Sequence, residues 1–197
     1  MLAASLPDAA TPLPVVVAGG AVGGLAAGIS VGLVTGWWFE KLAPLRTGRR
    51  VVIGIGNAFR GDDGVGPAVV ADLAGRVDDE VTLLELDGEP ARVVDAWRGA
   101  TLAVVVDAMS SGEAPGTVRR FEVGAGKRLP GASGTSSHSL GVAEAVDLGT
   151  ALGAMPDELV VYAVEAADFG EGMGLSVPVD SARTDVMAAV LDELGGH

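Results

Sequence analysis

The sequence predicts an α/β fold, a three-layer α/β/α sandwich around a mostly parallel five-stranded sheet. From Val51 onward, short strand-like runs alternate with stretches of helical periodicity, the order typical of parallel strands joined by helices. The runs at residues 51–53 and 102–106 are apolar throughout, as strands are when helices cover both faces of the sheet. One such domain is predicted at residues 51–197, preceded by an apolar, glycine-rich extension at residues 1–50.

The elements of this domain are predicted in chain order from their periodicity. The β-branched run 51–53 is the first strand, and Gly54-Ile55-Gly56 predicts a sharp turn, because glycine accepts dihedrals that other residues resist. A helix begins at Gly64, where apolar residues start to share one face. The later elements are strands at residues 81–86, 102–106, 117–123 and 159–164 and helices at residues 90–98, 139–152 and 177–194. The strand at 117–123 alternates as an edge or antiparallel strand would, and the glycine- and serine-rich stretch 124–137 is a predicted functional loop.

The composition excludes several classes of function. The chain of 197 residues has 26 acidic and 13 basic residues, a balance that argues against a nucleic-acid-binding surface. Residues 1–50 carry two of the acids and four of the bases, so the predicted domain is strongly acidic. Its expected partners are cations or basic protein segments. Because the chain has no cysteine, it has no disulfide, no thiolate metal site and no thiol nucleophile.

The extension contains a candidate membrane anchor at residues 15–39. This run of 25 residues is uncharged and mostly apolar, carries glycine at every fourth position, and is followed by a basic flank at residues 41–50. If it inserts, the basic flank predicts a domain on the cytoplasmic side, anchored to the inner face of the membrane. Two alternatives stay open, because so much glycine also suits a disordered extension, and the true start of the chain could lie near Arg49.

The stretch 51–66, VVIGIGNAFRGDDGVG, brings acids to the end of the first strand. Gly54 and Gly56 match the first two glycines of a dinucleotide-binding pattern, and Asp87 stands where a ribose-binding acid would. However, the third glycine is missing, and Asp62 and Asp63 would repel a pyrophosphate. A plain turn with solvated acids is the other alternative.

Three polar residues form a candidate metal site, since the first and third strands and the long loop should converge at one edge of the sheet. Asp63, Asp107 and His138 together offer two carboxylates and one imidazole, a set that suits a divalent metal such as nickel or zinc and leaves positions open. Asp107 could instead cap a turn, and a lone loop histidine is often solvated. Asp62 could also be the ligand and Asp63 the acid at the helix N-terminus, or the reverse.

Covalent hydrolysis has less support in the sequence. There is no G-x-S-x-G elbow, and the serines next to His138 are poorly placed to reach the ring nitrogens of their own neighbour. A pair of aspartates that share one proton is conceivable, although nothing local marks such a pair.

Several motifs, taken together, resemble those of the hydrogenase maturation proteases. They occur in the family's order and spacing from Val51 to about Leu194, and they are GIGNAFRGDDGVG, the strand-end sequence LAVVVDA at 102–108, HSLG at 138–141, VYAVE at 161–165 and GLS at 174–176. These endopeptidases remove the C-terminal extension of the [NiFe]-hydrogenase large subunit after nickel insertion. The resemblance implies a phosphorylase/hydrolase-like α/β/α sandwich.

The resemblance also implies roles for individual residues. Asp63, Asp107 and His138 would bind the metal and act in catalysis, and Asn57, Asp87 and Gly88 would contact substrate. The metal would be nickel supplied by the substrate, although zinc or another divalent ion would also suit the ligands.

Two departures from the family pattern stand out. The family's Asp-Gly-Gly after the second strand is here Asp87-Gly88-Glu89, and the apolar extension has no counterpart. The predicted function is a cytoplasmic endopeptidase whose partner is a large-subunit precursor. The alternative is a non-catalytic chaperone that binds the nickel-loaded precursor as a checkpoint.

Overall fold

The computed structural model describes residues 48–124 and 140–195. The predicted anchor at 15–39, nearly all of the 1–50 extension, most of the 124–137 loop, and His138 lie outside the described residues. No helix within the described ranges is both long and apolar enough to span a bilayer.

Five strands in the described part of the chain form one sheet in the order β2-β1-β3-β5-β4. Strands β1, β2, β3 and β5 are mutually parallel, and β4 pairs antiparallel with β5 at one edge, as predicted. Their bounds are β1 Arg50–Ile55, β2 Val81–Leu86, β3 Leu102–Met109, β4 Val118–Val123 and β5 Glu158–Glu165.

Four α-helices in the described ranges cover the two faces of this sheet. A 3-10 turn at Gly61–Gly64 leads into the first helix, and the helices are α1 Val65–Leu73, α2 Pro90–Trp97, α3 Leu140–Leu152 and α4 Val177–Glu193. Helices α1 and α4 pack with Val52 and Val104 on one face, whereas α2 and α3 pack with Val51 and Val105 on the other. Neighbouring strand residues point to opposite faces, so β1 and β3 need apolar residues at nearly every position. The predicted three-layer sandwich is confirmed.

Two local predictions were wrong. Gly54 and Ile55 belong to β1, so the sharp turn begins only at Gly56, which has a φ of +134°. Asp107 does not end its strand, because β3 continues to Met109, which pairs with Glu165 of β5.

The four parallel strands all end at the same edge of the sheet, here called the carboxyl edge. The 3-10 turn follows β1 there, Asp87 follows β2, and Glu165 is the last residue of β5. Open α/β sheets bind their ligands at this edge.

Candidate active site at the carboxyl edge

Glycines let the turn after β1 fold back onto its own strand. A Cβ atom on Gly56 would collide with the carbonyl oxygen of Asp63, and one on Gly54 would collide with the carbonyl oxygen of Gly66 at the start of α1. The space beside both glycines is therefore filled by the chain itself. This packing explains the glycines without the dinucleotide phosphate that was the alternative interpretation.

The carboxylates of Asp63 and Asp107 form the centre of the candidate site. Asp63 is nearly buried; its Oδ2 accepts a hydrogen bond from the Asn57 N–H at 3.1 Å and lies 4.0 Å from the Arg60 guanidinium. Asp107 is buried within β3, and by alternation with Ala103 and Val105 it lies on the face that α2 and α3 cover.

Burial and the neighbouring charge of Asp63 raise the pKa of Asp107 well above its usual value, and the Ala108 N–H offsets part of this effect. Two buried carboxylates that repel each other are suited to holding a cation, because the cation removes the repulsion. The structure thus brings these two predicted ligands together.

Asp62, the alternative ligand, is engaged elsewhere. Its Oδ2 accepts hydrogen bonds from the N–H groups of Ala167 and Asp168 at 2.8 and 3.1 Å, and its Oδ1 accepts one from Ser176 N–H at 2.6 Å. The Ser176 hydroxyl donates a fourth, at 2.9 Å. Burial alone would raise the pKa of Asp62, but these hydrogen bonds outweigh it and hold the pKa below its usual value. Asp62 therefore ties the turn that carries Asp63 to the segment before α4, and we call this set of bonds the Asp62 clamp.

The predicted substrate-contacting residues have local structural partners. Asn57 Oδ1 accepts a hydrogen bond from Phe59 N–H at 2.9 Å, and the carboxylate of Asp87 pairs with Arg92 at 3.0 Å. Glu89, the departure from the family pattern, caps α2, because its carboxylate accepts hydrogen bonds from the N–H groups of Ala91 and Arg92. Its negative charge at a helix N-terminus is favourable and gives this residue a role without substrate.

Gly88, in the turn after β2, packs against the start of α3. It has a φ of +84°, and a Cβ on Gly141 would lie 2.7 Å from its carbonyl oxygen. The first turn of α3 therefore packs against the loop that carries Asp87. Helix α3 begins two positions after His138, which itself lies outside the described residues.

Sequence analysis missed Glu165. Its buried carboxylate accepts hydrogen bonds from Ser111 N–H and hydroxyl and from Gly112 N–H, at 2.7 to 3.0 Å. These bonds fix the connection between β3 and β4 just beyond Asp107. Glu165 ends the VYAVE motif at 161–165, but a carboxylate at a strand end is equally common on solvent-exposed turns, so the motif did not predict this role.

Within residues 48–124 and 140–195, no three histidine or acidic side chains are grouped so that they could hold a metal ion. The described part of the candidate site is therefore the pair Asp63 and Asp107, and the third predicted ligand stays untested.

Comparison with known proteins identifies the family. The HycI family model, described as hydrogenase maturation protease, matches residues 67–193. The chain belongs to the hydrogenase maturation protease family. The match begins just after the 3-10 turn and includes β2 to β5.

Proteins named as hydrogenase expression/formation proteins are similar to this chain. The hydrogenase expression/formation protein HupD of Thiocapsa roseopersicina is 36% identical over 61% of this chain, which spans only 57% of the relative's length. HupD of Bradyrhizobium diazoefficiens is 30% identical over 75% of this chain and 80% of its own length.

Solved structures of hydrogenase maturation proteases share the fold. The hydrogenase maturating endopeptidase HybD of E. coli matches with a TM-score of 0.63 and 25% identity, over 74% of this chain and 91% of that one. HybD of Thermococcus kodakarensis matches with a TM-score of 0.59 and 21% identity, over 74% and 99%. The predicted family, fold class and enzyme class, a hydrolase of the peptidase type, are confirmed.

Proposed function

We propose that this hydrogenase maturation protease removes the C-terminal extension of a [NiFe]-hydrogenase large-subunit precursor after nickel insertion. Asp63, Asp107 and His138 recognise the nickel that the precursor carries. The observation that supports this most is the pairing of Asp63 and Asp107 at the carboxyl edge, in a member of this family. We also propose that processing takes place in the cytoplasm, and that residues 15–39 anchor the protein to the inner face of the cell membrane.

The carboxylate pair supports recognition of a metal held by another molecule. Two carboxylates and one imidazole are fewer ligands than a divalent metal normally takes, so coordination positions remain for groups of the precursor. Burial and the charge of Asp63 raise the pKa of Asp107 and so oppose its ionisation, and a cation that reaches the two carboxylates relieves this repulsion. The pair therefore favours a precursor that carries its metal over one that does not.

The buried setting of Asp107 strengthens this preference. Asp107 lies inside β3, away from bulk water, so its interaction with a cation is screened less than it would be at the surface. The hydrogen bond from Asn57 N–H orients Asp63, and the Asp62 clamp holds the turn that carries it. The two carboxylates are thus positioned before the precursor arrives, which reduces the cost of binding.

The test compares nickel-loaded and nickel-free precursor from the same organism. Each is incubated with the full-length protein, and the mass of the large subunit is followed over time. We expect the loaded precursor to lose one C-terminal peptide and the nickel-free precursor to stay intact. Asp107→Asn and His138→Ala should abolish cleavage, whereas Asp95→Asn, which removes the same charge at an exposed position, should not.

Two results would contradict the proposal. A stable complex with the loaded precursor that never yields a shortened subunit would support the checkpoint chaperone. Equal cleavage of loaded and nickel-free precursor in the presence of a chelator would show that the protease reads peptide sequence alone.

A further inference from the structure

Exposed apolar side chains are concentrated beside the candidate site. In the described ranges, four large hydrophobic residues are strongly exposed: Phe59 (66%), Leu152 (58%), Met173 (78%) and Val177 (81%). Leu152 ends α3 and lies toward the opposite edge of the sheet, because α3 starts against Gly88 and leads back to the beginning of β5. Phe59 and Met173 belong to the two segments that the Asp62 clamp joins, and Val177 directly follows the clamp residue Ser176 as the first residue of α4. We call these three residues the apolar rim.

Main-chain hydrogen bonds make the two segments of the rim one unit. Gly172 N–H donates to the carbonyl of Phe59, and Gly61 N–H donates to the carbonyl of Gly172, each at 2.9 Å. Asp62 N–H donates to the carbonyl of Asp168, also at 2.9 Å. With the Asp62 clamp itself, these bonds fix the position of the rim relative to Asp63.

Both main-chain polar groups of Phe59 are hydrogen-bonded, whereas its ring is exposed. Its N–H donates to Asn57 Oδ1 and its carbonyl accepts from Gly172 N–H. A rigid backbone lowers the entropy cost of binding, and exposed aromatic residues often carry much of the energy of an interface. Single exposed apolar residues are common on protein surfaces, so it is the grouping of three beside Asp63, and not exposure alone, that indicates a binding surface.

We propose that the apolar rim is the docking surface for the hydrogenase large-subunit precursor, an inference that rests on the proposed function. Phe59 precedes Asp63 by only four residues in the same turn. We expect a folded protein that brings its metal to Asp63 to contact Phe59 and Met173 as well, because main-chain hydrogen bonds hold their two segments together beside the turn of Asp63. The precursor packs an apolar patch on Phe59 and Met173, and this contact guides its metal to the two carboxylates.

An apolar contact at the rim does not depend on the charge of the chain. The chain has a formal net charge of −13. Hydrophobic contact needs no charge complementarity and does not weaken at high salt, so docking at the rim should persist when salt screens this charge.

The test uses Phe59→Ser and Met173→Ser in the full-length protein, with Leu152→Ser as the matched control at the other edge. For nickel-loaded precursor, we expect KM to rise about tenfold in Phe59→Ser while kcat stays close to wild type. Phe59→Leu should restore KM to within about threefold of wild type, because it keeps most of the apolar area. Leu152→Ser should leave both constants unchanged.

Binding of the same precursor, measured directly, separates this inference from the proposed function. If the wild-type protein does not cleave, the proposed function fails, and a Kd that rises in Phe59→Ser but not in Leu152→Ser still supports docking at the rim. An unchanged KM and Kd in both rim variants of a cleaving enzyme would overturn the docking surface. So would a concentration-dependent dimer that Phe59→Ser abolishes without an effect on KM, since it would assign the rim to a second copy of the chain.

Discussion

At the scale of single residues, Asp62 and Asp63 show how adjacent carboxylates can serve different purposes. Asp62 accepts four hydrogen bonds from residues 167–176, whereas Asp63 accepts one from Asn57 and lies beside Asp107. Asp62 stabilises the fold through these bonds. Asp63 accepts fewer hydrogen bonds and adds repulsion to the buried Asp107, which fits the ligand role that we propose for it.

We predict opposite effects on stability for Asp62→Asn and Asp63→Asn. Asp62→Asn places an NH2 group against N–H donors and should lower the free energy of unfolding by about 2 kcal/mol. Asp63→Asn removes a charge beside Asp107, so stability should stay equal or rise while cleavage of the loaded precursor is lost. Chemical denaturation and the cleavage assay measure the two effects. Stability loss at Asp63 with none at Asp62 would reverse the assignment.

The pH dependence of this stabilisation has a defined sign. Because the pKa of Asp62 is lowered on folding, its contribution is complete above the unfolded value of about 3.9 and is lost as the pH falls through the folded pKa. Asp62→Asn should therefore cost most at neutral pH and least in acid.

The sequence could not distinguish these two aspartates. The donors to Asp62 lie 105 to 114 residues further along the chain, and no local pattern predicts such contacts. The approach of Asp63 to Asp107 was predictable, because both follow from the order of the parallel strands, whose carboxyl ends meet at one edge of the sheet.

At the scale of elements, the junction between β1 and the 3-10 turn depends on Gly56. An alanine there would meet two obstacles, a φ of +134° and a collision with the carbonyl of Asp63. Gly75 also has a positive φ, +74°, but a Cβ added there would meet nothing within 4 Å beyond its chain neighbours. The substitution Gly75→Ala therefore measures mainly the free-energy cost of the positive φ.

We expect Gly75→Ala to lower the free energy of unfolding by about 1 kcal/mol and to leave cleavage intact. Gly56→Ala should destabilise the protein more and abolish cleavage, because it displaces the main chain of Asp63. Urea denaturation and the cleavage assay test both variants in parallel. Equal effects of the two substitutions would show that crowding at Asp63 does not matter.

Most element boundaries were predicted to within one residue, and the two larger errors lie at the carboxyl ends of β1 and β3. The apolar run 102–106 ended at Asp107 in sequence, but main-chain pairing with β5 carries β3 to Met109. Ladder hydrogen bonds do not depend on side-chain polarity, so a buried carboxylate inside a strand leaves no signal in a hydropathy pattern.

At the scale of the whole molecule, one polar cluster joins the edge strand to the last helix. Tyr162 of β5 donates to Glu193 Oε1 at 3.0 Å, and Arg120 of β4 donates to the same oxygen at 2.7 Å. Burial and the charge of Glu193 raise the pKa of Tyr162 to about 12, and Arg120 offsets part of this shift.

Tyr162 is the single tyrosine of the chain, so its ionisation can be followed by tyrosinate absorbance. We predict a midpoint near 12 in the folded protein and about 10 in denaturant. Since the pKa is raised on folding, the stabilisation is present below the unfolded value and is lost as pH rises through the folded one. Glu193→Gln should lower the folded midpoint, and a folded midpoint equal to that in denaturant would contradict the cluster.

The architecture as a whole was predictable, because alternating strands and helices with apolar runs leave few topologies for a sheet of this size. The bonds of Asp62 and Glu165, which hold loops, and those of Glu193, which hold the last helix to the sheet, were not predictable, since each joins residues distant in sequence.

The Asp62 clamp has a consequence for how the protein matures during synthesis. The ribosome makes Asp63 and Asp107 well before it makes Ser176, whose N–H and hydroxyl complete the clamp. Contacts between distant residues form late, because a long loop must close first. A nascent chain that has not yet exposed residues 167–176 therefore contains both carboxylates but lacks the bonds that hold the turn of Asp63 in place. If the proposed function holds, we expect such a chain to cleave no precursor until these residues have left the ribosome.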